Sequence, residues 1–501
     1  MKNAARVFLS AALTGSLLLA TPSCKNLTEQ PDFASPVSFY KTDQDMLAAV
    51  NGVYRPLNQQ WFSTYYNRCV FDCALGTSTG YEKGPQYYKQ GAYVASDEYI
   101  QAYWGDNYDG INRANVVIDA TPNSSAKADL KKRINAEARF LRAMYYYQLY
   151  VFFENIPVVD KPTRELGSFA SNEGGKQKAL DLMIADLKVA ETDLPAAFTG
   201  DDLGRPNRWA AKTLLAKVLL EAAQWQPAAE KAQEVISQSG RALFPNFNDL
   251  FDPAMKNMGE RLFEVQNNFV KSPANFNNMH AHFTPTDWDG GDPNTLAPGD
   301  GVTAAGWGDA WIVGDVAYRA MFQTGDRRIP VTFMEQYRSK NVGGEVVRFS
   351  PTANSPFVAP NSAERTFRNV IFQKVIEYNI GGWQNTRKNY LLLRVADAYL
   401  AHAEAVSNGA SGNGLASLNA IRQRAGIPAM GALTKDAVFD EYMREYAGEG
   451  WTFSTARRFG RTADVIRRFT GRTVDNAKFR VLPIPLVEIN ANANVKQNQG
   501  W

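Results

Sequence analysis

The sequence predicts a mainly α-helical protein. Pairs of helices stack into a superhelix, interrupted by loop-rich insertions and a few short β-hairpins. Three observations predict it. Apolar residues recur at helical spacing through much of the 501-residue chain. Stretches rich in Ala, Leu, Arg and Glu are separated by short breaks. Strand-like runs are few and at most six residues long.

The chain opens with Lys2 and Arg6 ahead of an apolar run, Val7 to Ala20, which is too short to span a bilayer comfortably. Thr21-Pro22-Ser23 then precede Cys24. Small residues before a lone cysteine predict a lipoprotein signal over residues 1–23, with Cys24 becoming the lipidated residue. Several acyl chains on one residue anchor stably, because each buried CH₂ contributes about 0.8 kcal/mol. Residues 24–40, polar and punctuated by Pro31 and Pro36, read as a tether. Residues 41–501 then form one body, with a loop-rich insertion over about 267–385.

Within the body, helices are predicted over Thr42–Tyr54, Glu98–Thr121, Ala126–Phe153, Lys176–Leu194, Arg208–Ala223 and Pro227–Gln238. Further helices follow at Asp315–Phe322, Asn389–Asn408, Gly414–Arg424, Lys435–Tyr446 and Thr462–Arg468. Arg261–Gln266, Val346–Phe349 and Val370–Lys374 read as strands. Ala136–Phe153 with Lys176–Leu194, Arg208–Ala223 with Pro227–Gln238, and Asn389–Ser407 with Leu415–Gln423 look like helix pairs of one kind. Their small residues and irregular spacing resemble tetratricopeptide packing without a regular repeat. Two segments break the pattern. Gly76–Ala95 interleaves Gly with Tyr, and Asn267–Ala310 is dense in Gly, Pro, Asn and Asp. Both read as long ordered loops of the kind that serve function.

Composition narrows the function classes. The chain carries 54 Lys and Arg against 51 Asp and Glu, a formal charge of +3. That balance supplies no global attraction to nucleic acid or acidic lipid. A hydrophobic share of 45% with 21% charged residues excludes wholesale disorder. Aromatics reach 12%, enough to fill a core and still furnish a binding surface. With 3 Cys and 3 His there is no close-spaced set of four zinc ligands. His280 and His282 read as loop histidines. Cys69 and Cys73 are spaced to share a helix face, where a disulfide and a buried free pair both fit.

Six ordered motifs carry a resemblance. They begin with Trp104-x₃-Tyr108-x₂-Ile111-x₂-Ala114-Asn115 and the run Ala136 to Tyr146, AEARFLRAMYY. Gly204-Arg205 with Ala210-Ala211-Lys212-x-Leu214-Leu215-Ala216-Lys217 comes next. Leu393 to Leu400 with Ala403-Glu404-Ala405, then Asn419-x₂-Arg422-x-Arg424-Ala425-Gly426, follow in order. Leu482-Pro483-Ile484-Pro485, Glu488-Ile489 and Gln497-Asn498-x-Gly500 close the series. The chain resembles the SusD/RagB family of Bacteroidetes surface lipoproteins over nearly its whole length. One motif departs: Thr452 and Thr455 stand where the family usually carries Arg and Asp, although Arg457-Arg458-Phe459-Gly460 is retained. The Arg and Glu residues of 136–143 are expected to pair across adjacent helices, as fold determinants.

The resemblance implies a non-catalytic protein at the cell outer membrane, lipid-anchored and facing outward. It would capture oligosaccharides for a SusC-like TonB-dependent transporter. The same architecture binding peptides, or acting as a lid with little affinity, is the alternative. Neither nucleic acid nor a cofactor is expected. Sugar binding needs exposed aromatic faces beside hydrogen-bonding side chains. The candidates are Tyr81, Tyr87 and Tyr88 in the first loop, and Trp288, Trp307, Asp309 and Trp311 in and after the second, with Trp307 foremost. Asp287-x-Asp289-x-x-Asp292 hints at a Ca²⁺ site but lacks an EF-hand glutamate. A hydrolase using such carboxylates has no nucleophile elbow or other catalytic motif behind it.

Overall fold

Thr42 starts the first helix, α1 (Asp43–Val53), with a reciprocal cap. Its hydroxyl accepts from the Asp45 N–H, and the Asp45 carboxylate accepts from the Thr42 N–H at 2.8 Å. The computed structural model describes residues 40–58, 64–80, 83–163, 169–267, 279–285, 287–301, 312–340, 344–354, 366–382 and 386–501. Helices α2 (Thr64–Asp72) and α3 (Lys83–Gln90) precede the long helices α4 (Glu98–Ala120) and α5 (Ala128–Phe153). Then come α6 (Gly175–Asp193), α7 (Arg208–Glu221) and α8 (Trp225–Gln238). Asp97 caps α4, and Asn207 caps α7 by accepting from both Trp209 N–H and Ala210 N–H at 3.0 Å.

Helix α5 is about 39 Å long and lies between α4 and α6. Its C-terminal half is buried all round, as a central helix must be. Tyr145, Tyr146 and Tyr147 are all buried. The Tyr145 and Tyr146 hydroxyls donate to the carbonyls of Val53 (2.5 Å) and Val159 (2.8 Å). Gly110 of α4 admits the Tyr145 ring, since a Cβ there would lie 2.4 Å from it.

The charged residues of the 136–143 run pair across helices as expected. Arg142 grips Asp186 of α6 through Nε (2.7 Å) and Nη2 (2.8 Å), and Nη1 reaches the Asn115 side chain (2.7 Å). Glu137 accepts from Arg205 and from Tyr54, each at 2.6 Å. Arg142, Asp186, Asn115 and Glu137 are buried, and their hydrogen bonds offset the desolvation that burial imposes. The helix series continues as α6 on α7, α7 on α8, then α8 on α12 (Val395–Ser407) and α12 on α13 (Gly414–Arg424).

Between α8 and α12 lies the insertion. Among the described residues it holds α9 (Met279–Phe283), α10 (Val316–Arg319), α11 (Ile329–Thr332) and eight short strands; a ninth, β1 (Ser78–Thr79), lies upstream. Strands β2 (Arg261–Val265) and β9 (Tyr390–Arg394) pair antiparallel, with Glu264 opposite Leu391 and Val265 opposite Tyr390. A four-stranded sheet runs β1, β3 (Val313–Gly314), β8 (Val370–Phe372), β4 (Phe333–Met334). A three-stranded one runs β5 (Gln336–Arg338), β6 (Val346–Phe349), β7 (Thr366–Phe367).

Two expectations are corrected here. Residues 389–394 were expected to be helical, yet Tyr390–Arg394 is strand β9. An apolar run of five fits either period, and the distant partner β2 decides it. The 76–95 segment was expected to be loop, yet it contains β1 and the helix α3. Helices α2 and α15 (Thr452–Arg458) also arise where none was expected.

The C-terminal part continues with α14 (Lys435–Glu445), α15, α16 (Thr462–Thr470), α17 (Asn476–Phe479) and α18 (Leu486–Ala491). A buried charge cluster ties it to the insertion. Arg394 meets Glu260 (3.3 Å), Glu445 (2.5 Å) and Glu449 (2.9 Å). Arg328 meets Asp326 (2.8 Å), Glu441 (2.6 Å) and Glu445 (3.0 Å). Lys374 bonds Glu449 at 2.7 Å. The Arg cluster holds the Glu445 carboxyl well below the usual range, against the upward push of burial. The two threonines of the departing motif are locally absorbed. Thr455 bonds back to the Trp451 carbonyl at 2.8 Å. The Thr452 and Phe453 N–H groups at the start of α15 donate to Asp72 of α2, at 3.3 and 2.7 Å.

Candidate ligand-binding face

The two loops singled out in the sequence meet in space. Strand β1 emerges from the first, and β3 follows the second. They pair antiparallel, with Ser78 opposite Gly314 and Thr79 opposite Val313. Asp315, just past β3, reinforces the junction. Its N–H donates to the Thr77 carbonyl (2.9 Å), and its carboxylate caps α10 through the Ala317 N–H (2.8 Å). The same carboxylate takes an ion pair from Lys89 of α3 at 2.7 Å. Gln86 donates to the Gly80 carbonyl at 3.2 Å, fastening α3 over the end of β1. Both α3 contacts were missed in the sequence, because a helix rich in Gly, Pro and Tyr gives little propensity signal.

The candidate rings part company. Tyr87 of α3 is 46% exposed. Its neighbour Tyr88, about 100° away around the helix, is fully buried. The Tyr88 ring stacks on Tyr93 at 4.6 Å and 5°, and its hydroxyl donates to Asp97 at 2.9 Å. Burial, then the neighbouring Asp97 charge, push the Tyr88 hydroxyl well above its ordinary pKa. Trp288 is also fully buried. Its indole N–H donates to the Gly291 carbonyl (3.0 Å), and its ring lies 6.0 Å from those of His280 and Tyr378. Tyr88 and Trp288 therefore serve the core, a correction to their expected place on the surface. The physical reason is that each has a partner for its polar atom inside the protein, so burial leaves nothing unsatisfied. Tyr81, Trp307, Asp309, Trp311 and Cys24 lie outside the described residues.

The aspartates of the second loop do not converge. Asp287 accepts from Tyr337 (2.8 Å) and Ser339 (2.7 Å). Asp289 accepts from the N–H groups of Gly291 (2.9 Å) and Gly299 (3.1 Å), knotting the loop closed. Asp292 accepts from Asn294 N–H at 2.9 Å. Each carboxylate thus has its own backbone or hydroxyl donors, and among the described residues no group of acids, histidines or cysteines could hold a metal ion. His280 and His282 sit on α9 and are buried rather than in open loop. Burial pulls His282 down to about 3, so the ring is neutral. Cys69 and Cys73 are free and buried, and burial pushes the Cys73 thiol up to about 12. The described helices include none long and apolar enough to cross a membrane.

Helix α3 thus presents the exposed Tyr87 ring, while Lys89, two positions on and about 200° around the helix, fastens α3 to Asp315. An exposed ring on a helix pinned to the β1–β3 ladder can offer a flat apolar surface to a ligand.

Comparison with known proteins places the scaffold. Two family models match: one described as "Starch-binding associating with outer membrane" over residues 27–220, and one described as "SusD family" over residues 312–501. The SusD-like protein P25 of Formosa agariphila is 24% identical, covering 95% of each chain. The starch-binding protein SusD of Bacteroides thetaiotaomicron is 32% identical, but over only 22% of this chain and 21% of its own length. Among solved structures, a laminarin-binding SusD-like protein superposes with a TM-score of 0.75 at 24% identity, covering 92% of this chain and all of that one. The surface glycan-binding protein A of Bacteroides thetaiotaomicron, in complex with laminarihexaose, superposes with a TM-score of 0.73 at 19% identity, covering 91% and 100%. The first model spans α1 to α6 and nearly all of α7, and the second runs from β3 through the rest of the insertion to the C-terminal helices; this chain belongs to the SusD/RagB family.

Proposed function

We propose that this protein is a non-catalytic carbohydrate-binding protein that captures oligosaccharides on the face where the two loops meet. It delivers them to a SusC-like TonB-dependent transporter. Lipid on Cys24 holds it to the outer membrane, with the body facing outward. The observation that carries the reading is the β1–β3 register. It brings the start of the Tyr-rich first loop beside the strand that follows the Trp-rich second loop, on a scaffold shared with glycan-binding relatives. Tyr87 supplies an exposed ring, while Tyr81, Trp307 and Trp311 flank the ladder in sequence. A sugar ring presents C–H groups on its faces and hydroxyls at its edge, which suits aromatic planes with hydrogen-bonding side chains at their margin.

The test is a binding screen of the lipid-free protein from Lys25 onward, by affinity gels and calorimetry, against glycans and peptides. A glycan ligand whose binding is lost in Trp307→Ala and weakened in Tyr87→Ala is the expected result. Peptide binding alone, or no ligand with retained capture of a TonB-dependent barrel, would replace the carbohydrate reading.

A further inference from the structure

A second concavity lies away from the loop face. It is a groove of about 370 Å³ between the end of α1 and the end of β2, within the roughly 300–1,000 Å³ typical of small-molecule sites. One wall is apolar: Leu57, Val265 and Leu203, the last 50% exposed. Asn51, Gln266 and Arg55 supply polar groups around it.

The floor is preorganised. Arg205 is held by Glu137 (2.6 Å), Asp202 (2.6 Å) and the Asn51 carbonyl oxygen (2.8 Å), so it cannot swing into the groove. That bond leaves the Asn51 amide N–H₂ pointing away from Arg205 and available as a donor. Gln266 is locked by a reciprocal amide pair with Asn257, 2.9 Å in each direction, and by further bonds to the Glu264 carbonyl (3.1 Å) and from Asn389 (3.0 Å), so its amide shapes the wall rather than bonding a ligand. Gly204 makes room for it: a Cβ there would come within 2.8 Å of the Gln266 amide. Glu264, the groove's carboxylate, is buried and accepts from the Asn257 N–H at 2.7 Å. Arg55 is exposed and forms no ion pair with a described residue.

An apolar wall rimmed by the Asn51 amide N–H₂ and the Arg55 guanidinium, with no exposed acid among the described lining residues, suits a neutral hydroxylated ligand. Its C–H face would lie on Leu203, with Leu57 and Val265 buried behind it, and its hydroxyl oxygens on Asn51 and Arg55. We propose that this groove is a second carbohydrate-binding site, taking a short neutral oligosaccharide. The inference rests on reading the protein as a carbohydrate binder. The site is separate from the loop face. Gly52 of α1 approaches α4 at Arg113, whereas Tyr88 packs on α4 at Tyr99, which puts about 21 Å of helix between them.

The experiment uses the full chain in detergent with neutral hexaoses of β-glucan, α-glucan and mannan. Hydrogen exchange and calorimetry are read together. The expected result is that one probe slows exchange over residues 51–57 and 264–266 as well as 76–95. The Arg55→Ala/Leu203→Glu double variant, altered only at exposed side chains, should lose the first protection, with that phase of binding weakened at least about tenfold, and keep the second. Protection confined to 76–95, with binding unchanged in the double variant, overturns the groove site and leaves the loop-face reading standing. No binding of any probe overturns both.

Discussion

The α4–α7 helices and the β1–β3 face treat large polar side chains in opposite ways. In the helices, the charges of the 136–143 run find partners across the packing: Arg139 and Arg142 with Asp186 of α6, and Glu137 with Arg205 in the turn ahead of α7. On the face, adjacent residues diverge. Tyr87 is exposed and Tyr88 is core, while Trp288 is enclosed through a bridge to Ser339, fifty-one residues on. The lesson is that ring content does not mark a binding surface. What separates Tyr87 from Tyr88 is the side of α3 each takes: Tyr88 packs against Tyr93 and Tyr99, and Tyr87 meets solvent.

The largest expected effects test the scaffold side of that contrast. Arg142→Ala should destabilise the protein by about 3 kcal/mol, the low end for breaking a buried ion pair, because Asp186 loses both bonds from Arg142 while keeping Arg139 at 2.7 Å. Chemical denaturation reads it, and a loss below about 1 kcal/mol would show that the pair is not holding α5 to α6. Trp288→Ala should cost a similar amount, about 3–5 kcal/mol, through the cavity it leaves. A Trp288→Ala protein that kept its melting temperature but lost ligand would return Trp288 to the binding surface and break the comparison.

A middle-sized effect concerns the junction of the two regions. Burial raises Asp72 to about 7 even though the Phe453 and Thr452 N–H groups pull it down. The unfolded chain releases that proton near the ordinary aspartate value of 3.8. Between these two pH values the folded state binds more protons, so this group's contribution to stability falls as pH rises, by at most about 1.4 kcal/mol per unit. Asp72→Asn removes the titration while keeping an acceptor for α15. Its stability relative to the parent should therefore climb from pH 4 to pH 7 and level off above. A flat difference curve would mean that Asp72 is already charged at pH 4.

The smallest effects belong to the surface and to the thiols. Tyr87→Ala should change stability by no more than about 0.5 kcal/mol, as for an ordinary exposed site, while weakening glycan binding. A large loss of stability would make Tyr87 a packing residue like its neighbour. Cys69 and Cys73 should resist alkylation in the native protein and react on unfolding, since both are buried with raised thiol pKa values. Mass spectrometry of labelled protein distinguishes the two.

Much of the scaffold is legible without coordinates. A chain of Ala, Leu, Arg and Glu at a 3.6-residue period has one good way to bury its apolar stripe, which is against another helix. That is why the bounds of α1, α4, α5, α6 and α8 follow the sequence within two residues. Local chemistry also places the caps at Thr42, Asp97 and Asn207. Tertiary structure alone decides the rest. Tyr390–Arg394 becomes a strand because Arg261–Val265 lies alongside it. Segment 83–90 becomes a helix because Lys89 and Gln86 find partners at Asp315 and Gly80. Tyr88 and Trp288 turn inward because Asp97 and the Gly291 carbonyl receive their protons there. Periodicity is a property of neighbours in the chain, whereas the satisfaction of a buried polar atom depends on groups that only folding brings within about 3 Å.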